Sequence, residues 1–276
     1  MPEPTHILMV GLPESGKTTY LAALYHTLRS VTGEQTSMRL RQAPAERQYF
    51  HEIEEIWLRF EPMPRSQHRE PAKAGLELLD PSGEEIDLEI PDVSGETFDA
   101  LWESGVWVES LRALASSAVG VLLFTRADRV DYPELITVED PDQPESEGVA
   151  PRAWEPSDAP TQTKLVDLLE TVWSVGENLR VAVAVSAWDR VAAEGLAPDQ
   201  WLELNLPLLW QMLQTNGDAH PWRAFGVSAQ GGDLEDPEAR LALAKCDPPG
   251  SRVMVRDGDD SHDLTRPLSW LLANRT

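Results

Sequence analysis

The sequence predicts an α/β fold of three layers: a mostly parallel central sheet, helices on both faces, and one antiparallel hairpin at an edge. Three observations carry this. Short apolar runs such as His6–Val10 and Val181–Val185 alternate along the chain with stretches of helical periodicity. Those runs are apolar throughout rather than alternating with polar residues, the pattern of strands buried on both faces. Asp80-Pro81-Ser82-Gly83 stands between two further runs and is a hairpin signal.

Taken in order, His6–Val10 is the first strand, and Lys17–Ser30 is a helix with Leu21, Leu24, Tyr25 and Leu28 on one face. A strand at Met38–Arg41 and a helix at Ala45–Trp57 follow. Leu76–Leu79 and Ile86–Ile90 are the hairpin strands, and a helix through Glu103–Ser117 leads to the strand Val119–Phe124. Leu165, Leu168, Leu169 and Val172, spaced i, i+3, i+4, i+7, mark an amphipathic helix. Val181–Val185 is a buried strand, Pro207 interrupts the helical pattern of Trp201–Leu213, and Ala224–Ser228 is expected to be the last core strand.

Residues 127–160 hold ten Asp or Glu against two Arg, with six Pro. Such a composition buries little apolar surface, so a mobile insertion is expected there, either a solvated linker or a docking site. The chain is expected to be a single domain over 1–276, with this acidic insertion at 127–160 and a C-terminal extension at 231–276.

The net charge of −24 sets limits on partners. Nucleic-acid binding relies on a basic surface that displaces counterions, and an anionic membrane repels an acidic chain, so neither is expected as a direct partner. Basic protein partners remain open. Cys246 is the single cysteine, which rules out an internal disulfide and a multi-cysteine metal site. The start MPEPTHILMVGLP lacks the pattern of a signal peptide, and no stretch has the ~20 apolar residues of a membrane span, so a cytoplasmic location is expected.

Gly11-Leu12-Pro13-Glu14-Ser15-Gly16-Lys17-Thr18 fits the phosphate-loop pattern G-x-x-x-x-G-K-[ST] in full, after an apolar strand and before an amphipathic helix. The chemistry demands these types. The glycines let the backbone aim the N–H groups of Glu14, Ser15, Gly16, Lys17, Thr18 and Thr19 at phosphate oxygens. Lys17 reaches the β- and γ-phosphates, and Thr18 offers a hydroxyl to Mg²⁺. The helix that begins at Lys17 adds its positive end. A chance glycine-rich turn is the bland alternative, and the strand and helix on either side argue against it.

Asp92-Val93-Ser94-Gly95 follows the Ile86–Ile90 strand. An aspartate there can hold the Mg²⁺ shell, and the Gly95 N–H can sense a γ-phosphate. With these two motifs and the hairpin between them, the chain resembles the translation-factor-related, Ras-like class of P-loop GTPases. That resemblance implies GTP and GDP as ligands, Mg²⁺ as cofactor, and a base-reading motif after a later strand. Ser186-Ala187-Trp188-Asp189 occupies the place of N-K-x-D: Asp189 would accept hydrogen bonds from guanine N1 and N2, while Ser186 replaces the asparagine and Ala187 the lysine whose stem covers the base. A helix N-cap is the other role open to Asp189. Ser228-Ala229-Gln230 resembles the S-A-x loop, whose backbone N–H meets guanine O6.

Pro64-Arg65-Ser66, Asp92–Glu96 and Arg266-Pro267-Leu268-Ser269-Trp270-Leu271 resemble bacterial double-GTPase proteins of conflict systems. By that resemblance Ser66 completes the Mg²⁺ shell, although an ordinary loop serine fits as well. Arg65 is the candidate for an arginine finger within the chain. Glu96 stands where Ras-like enzymes carry a water-orienting glutamine; an exposed glutamate at a helix start is its plain alternative. Trp102 and Trp107 are core or contact residues near the second switch. The resemblance implies a slow GTPase switch with an effector or activating subunit as partner. A non-hydrolysing nucleotide-binding scaffold and a P-loop kinase are the alternatives, and the hairpin speaks against the kinase.

Overall fold

The computed structural model describes residues 5–30, 36–63, 74–90, 102, 109–133, 155, 158–176 and 178–273. Along the chain run β1 (His6–Gly11), α1 (Lys17–Ser30), β2 (Arg39–Leu40), α2 (Arg47–Leu58), β3 (Ala74–Leu79), β4 (Glu85–Ile90), α3 (Glu109–Ser117) and β5 (Ala118–Arg126). They are followed by α4 (Thr161–Trp173), β6 (Arg180–Ser186), α5 (Pro198–Asn205), α6 (Pro207–Thr215), β7 (Trp222–Ser228), α7 (Pro237–Leu243), β8 (Met254–Asp257), β9 (Asp259–Ser261) and α8 (Arg266–Leu272).

The strands form one sheet in the order β2-β3-β4-β1-β5-β6-β7-β8-β9. The central run β4-β1-β5-β6-β7 is parallel. Its apolar strands need cover on both faces, and they have it. Ile7 and Met9 of β1 and Ala182 and Ala184 of β6 pack with α1, α2 and α8. Leu8, Val10, Val181, Val183 and Val185 pack on the other side with Leu165 and Leu169 of α4, Trp201 of α5 and Leu209 of α6. Three layers result, as the alternation of runs predicts.

The hairpin is present, with β3 antiparallel to β4 and Leu76 opposite Leu88. Its turn is held by Asp80, whose Oδ1 accepts from Ser82 N, Ser82 Oγ and Glu84 N at 2.6–2.8 Å. Pro207 divides the expected helix in two by standing at the first position of α6, where its missing N–H costs nothing.

One expectation needs correction: Ala224–Ser228 is not the last strand. β8 and β9 continue the sheet antiparallel beyond β7, so antiparallel pairs stand at both edges rather than one. These strands are short and rich in charge, with Arg256 bidentate on Asp260. β8 still buries Val255 in the core, whereas the outermost strand β9, Asp259-Asp260-Ser261, is polar, and polar edge strands of this kind discourage pairing with other chains.

The C-terminal residues are also bound to the first helix. Tyr20 of α1 donates its hydroxyl to Leu264 O at 2.7 Å, and burial drives its phenol far above the ordinary value. Asp263 accepts from Ser37 N at 2.8 Å and from Thr265 N at 2.8 Å. At the base of the acidic insertion, Asp131 N donates to Thr161 Oγ1 at 2.9 Å and Thr161 N donates to Asp131 O at 3.0 Å. Tyr132 Oη adds a bond to Asn205 Oδ1 at 2.8 Å.

Between α1 and α2 lies a buried carboxylate. Glu54 of α2 meets His26 Nδ1 at 2.8 Å and Arg29 at 2.6 Å, both from α1. Burial pushes its carboxyl up, but the His26 hydrogen bond and the Arg29 charge outweigh that and hold it below the usual range. A carboxyl with a depressed folded-state pKa stabilises above its unfolded value and loses that stabilisation as pH falls through the lower, folded value. Glu54→Gln is therefore expected to cost about 2 kcal/mol at neutral pH. The difference from the parent should shrink as pH falls below the ordinary carboxyl value of about 4.3 toward the lower folded-state value of Glu54. Chemical denaturation at pH 7 and pH 3 measures both.

Candidate nucleotide-binding site

β1 ends at Gly11 and α1 begins at Lys17, and the turn over Gly11–Gly16 that joins them is shaped by close contacts. A Cβ on Gly11 would lie 2.7 Å from Phe124 O of β5 and 2.8 Å from Ser15 Oγ. Gly16 has φ +93°, and a Cβ there would lie 3.0 Å from Ser186 Oγ. Both positions therefore need glycine for space, and Gly16 also for its backbone angle. Glu14 is left-handed too, at φ 59°.

The Lys17 ammonium folds back over the loop, donating to Gly11 O at 2.7 Å, Leu12 O at 2.9 Å and Ser15 Oγ at 3.2 Å. It is thus held over the concavity that the loop's N–H groups surround, at the N-terminus of a helix, where positive partial charge gathers. Thr18 follows in the first turn of that helix, and its hydroxyl makes no hydrogen bond among the described residues. Glu14 pairs with Arg129, which lies three residues beyond β5 at the root of the insertion.

Ser186 gains a role that its mismatch with asparagine conceals. It ends β6, is 6% exposed, and donates its hydroxyl to Ser15 O at 2.7 Å. The bond passes over β5, which lies between β1 and β6 in the sheet, and ties the loop to the strand that carries the base-end residues.

At that end, Ala187 turns the chain with φ 52° and Trp188-Asp189-Arg190 form one 3₁₀ turn. Asp189 is not the helix N-cap; that position is Ala187's. Asp189 Oδ1 instead accepts from Ser228 Oγ at the end of β7, so the structure brings these two base-site candidates together. The register that places Ser186 beside Val227 makes this possible. Beneath, the Trp188 indole lies flat against Gly226, where a Cβ would be 2.3 Å from the ring. Ala229 is buried, and Gln230 Nε2 is buried without a partner among the described residues.

Charges surround the rim in pairs. Asp128 is bidentate on Arg126, with Arg190 at 3.9 Å, and Arg190 also pairs with Asp233. Burial raises the Asp128 carboxyl, and the two guanidiniums more than reverse this. Neither of the two shallow clefts in the described surface, about 430 Å³ at Arg112 and Ser174 and about 450 Å³ between Leu196 and Arg256, is lined by phosphate-loop residues.

β4 runs parallel to β1, with His6 opposite Glu89, and ends at Ile90 on its way to the same sheet edge. Asp92, Gly95 and Glu96, which follow, and Arg65 and Ser66 lie outside the described residues, as does Trp107.

Over residues 8–271 the sequence matches the Double-GTPase 1 family. The chain belongs to that family. Membership makes this a P-loop protein of the GTP-binding kind, and the nucleotides of the Double-GTPase 1 site are GTP and GDP. No curated protein matches the sequence. Among solved structures, the chain is similar to Roco2 RocCORdC of Methanosarcina barkeri bound to GDP, at 15% identity over 87% of this chain and 48% of that one, with a TM-score of 0.35. It is also similar to the bacterial selenocysteine-specific elongation factor EF-Sec, at 13% identity, 87% and 28% coverage and a TM-score of 0.38. A third likeness is to an ADP-ribosylation-factor-like small COPII coat GTPase from Encephalitozoon cuniculi in complex with GDP, at 15% identity, 87% and 77% coverage and a TM-score of 0.35. The chain spans about half the length of the Roco2 chain and under a third of EF-Sec. At such scores these likenesses carry no argument about the site; family membership and the loop's own geometry do.

Sequence reasoning missed the tie from Ser186 to the loop. Its only signal is a small hydroxyl at the end of β6 facing a glycine. Ser186→Ala should leave Ser15 O buried without its donor and lower stability by about 1 kcal/mol, read as a fall in denaturant midpoint. An unchanged midpoint would show that the loop holds its shape without this bond.

Proposed function

We propose that the chain is a GTP-dependent switch that binds Mg²⁺·GTP and hydrolyses it slowly, acting through a protein partner, an effector or an activating subunit. The observation that carries this is the Lys17 ammonium held over the loop by carbonyl and hydroxyl oxygens that phosphate oxygens would replace. On binding, Lys17 exchanges these acceptors for the β- and γ-phosphates, while the N–H groups of Glu14 to Thr19 take the rest of the diphosphate.

The hydroxyls of Thr18 and Ser66 and the carboxylate of Asp92 would together offer the hard oxygen donors that Mg²⁺ prefers, and a Mg²⁺ held by them would supply neutralisation of charge on a transferring phosphoryl group. The Gly95 N–H responds to the γ-phosphate, and Glu96 orients the attacking water. Because Glu96 also sets a negative charge beside an anionic phosphate, turnover is slow, and Arg65 supplies the compensating guanidinium. At the base end, Asp189 accepts from guanine N1 and N2, and the N–H groups of the Ser228–Gln230 loop meet O6. The resemblance to conflict-system double GTPases supports a role in such a system with other subunits, and a cytoplasmic location goes with that reading.

Titration with GTP and ATP, then a turnover assay, tests this. Lys17→Ala should abolish tight triphosphate binding with the fold intact, since it removes a charge-assisted contact worth ~2–5 kcal/mol. GTP should bind in preference to ATP, and Asp189→Ala should erase that preference. Equal binding of both nucleotides by the parent would refute the base site.

Intrinsic hydrolysis should need Mg²⁺ and run at ~10⁻⁴ to 10⁻³ per second. Arg65→Ala should slow it ~10-fold or more with little loss of GTP affinity. Fast turnover that is indifferent to both Arg65 and Glu96 would place the catalytic groups elsewhere.

A further inference from the structure

The base-end loop is gripped from behind by two residues that the proposed chemistry does not use. Trp57, near the end of α2, is fully buried and donates its indole N–H to Ala229 O at 2.9 Å. Ala229 is the middle residue of the Ser228–Gln230 loop. In a trans peptide the carbonyl of one residue and the N–H of the next lie in one plane and point in opposite directions. Fixing Ala229 O toward α2 therefore also fixes the Gln230 N–H, away from α2.

Arg252 closes the other side. It is 7% exposed, with its guanidinium carbon 3.7 Å from the centroid of Trp57 and 4.5 Å from that of Phe60. One of its terminal nitrogens donates to Trp57 O at 2.8 Å. The chain leaving the loop presses on it as well: Gly231 has φ +90°, and a Cβ there would lie 2.5 Å from Arg252 O. Burial lowers the Arg252 pKa to about 10, which leaves it a cation at neutral pH, and its Nε has no partner among the described residues. The guanidinium is thus held by two rings and one carbonyl, all on the α2 side of the loop.

We propose that Trp57 and Arg252 are positioning residues for guanine recognition: together they lock the Ser228–Gln230 loop in the orientation that presents its N–H groups to guanine O6. The proposal rests on the reading of this site as a guanine-nucleotide site.

The test compares GDP with 2-aminopurine riboside 5′-diphosphate, which keeps the N2 amino group and lacks O6 together with the N1 proton. Dissociation rates of both are measured from the full chain, alongside thermal unfolding. Trp57→Phe keeps the ring beneath Arg252 and removes the N–H. It should speed GDP release about five- to tenfold, the loss expected for one hydrogen bond, and leave release of the analogue within about twofold. Arg252→Met keeps the stem and removes the guanidinium. It should shift GDP release in the same selective way, and it serves alone if Trp57→Phe does not fold. Equal acceleration of both ligands, or a lower melting temperature with neither rate changed, would overturn positioning in favour of a plain packing role. A parent chain that releases both ligands at one rate would overturn the base-site reading, and this proposal with it.

Discussion

The rest of the site depends on one close approach, between the end of β6 and the turn into α1. Gly16 lies so near Ser186 that any side chain on it would collide with the hydroxyl that holds Ser15 O. That contact is possible because β5 keeps register with both neighbours, with Gly11 opposite Phe124 on one side and Arg126 opposite Ser186 on the other. The phosphate loop and the base-end turn then become two parts of one rigid body. A ligand that spans them meets groups whose separation was settled on folding, and little ordering entropy remains to oppose its binding.

Around this centre the C-terminal residues serve as structure rather than as an appendage. Tyr20 sits one turn past Lys17 and is anchored to Leu264. Leu271 of α8 packs so close to Gly120 of β5 that a Cβ there would lie 3.0 Å from it. Arg180 at the start of β6 stacks 4.1 Å above Trp270 and donates to Ala273 O. β5 and β6 are thus braced near their starts by the last helix. Arg252 comes from the same part of the chain.

The fold was legible in the sequence wherever burial imposed a pattern. The apolar runs placed β1, β5, β6 and β7 within two residues at each end, and Lys17–Ser30 is α1 itself. The tight turn between β1 and α1 was legible because its pattern demands glycine at Gly11 and Gly16. β8 and β9 were not legible, being only four and three residues long, with pairing that depends on an edge the sequence does not display. Ser186 was conspicuous as a departure from a pattern, and its bond to Ser15 depends on two strands that are not adjacent. Trp57 looked like an ordinary core residue on the apolar face of a helix, and what distinguishes it is one N–H directed 172 residues along the chain. Arg252 belonged to no motif at all. Asp92, Gly95, Glu96, Arg65 and Ser66 are known from sequence alone.

The paired hydrogen bonds between Asp131 and Thr161 bear on how the family can vary. They join the two ends of the acidic segment at its root, beside the start of α4, so the sheet and its helices meet the same boundary whatever lies between. Once such a neck is closed, further residues add only a logarithmic entropy term, roughly 0.6 kcal/mol for each doubling of loop length. Relatives are therefore free to differ in the size and content of this segment with little effect on the core, and a foreign domain or reporter grafted between the two anchors would draw on the same freedom.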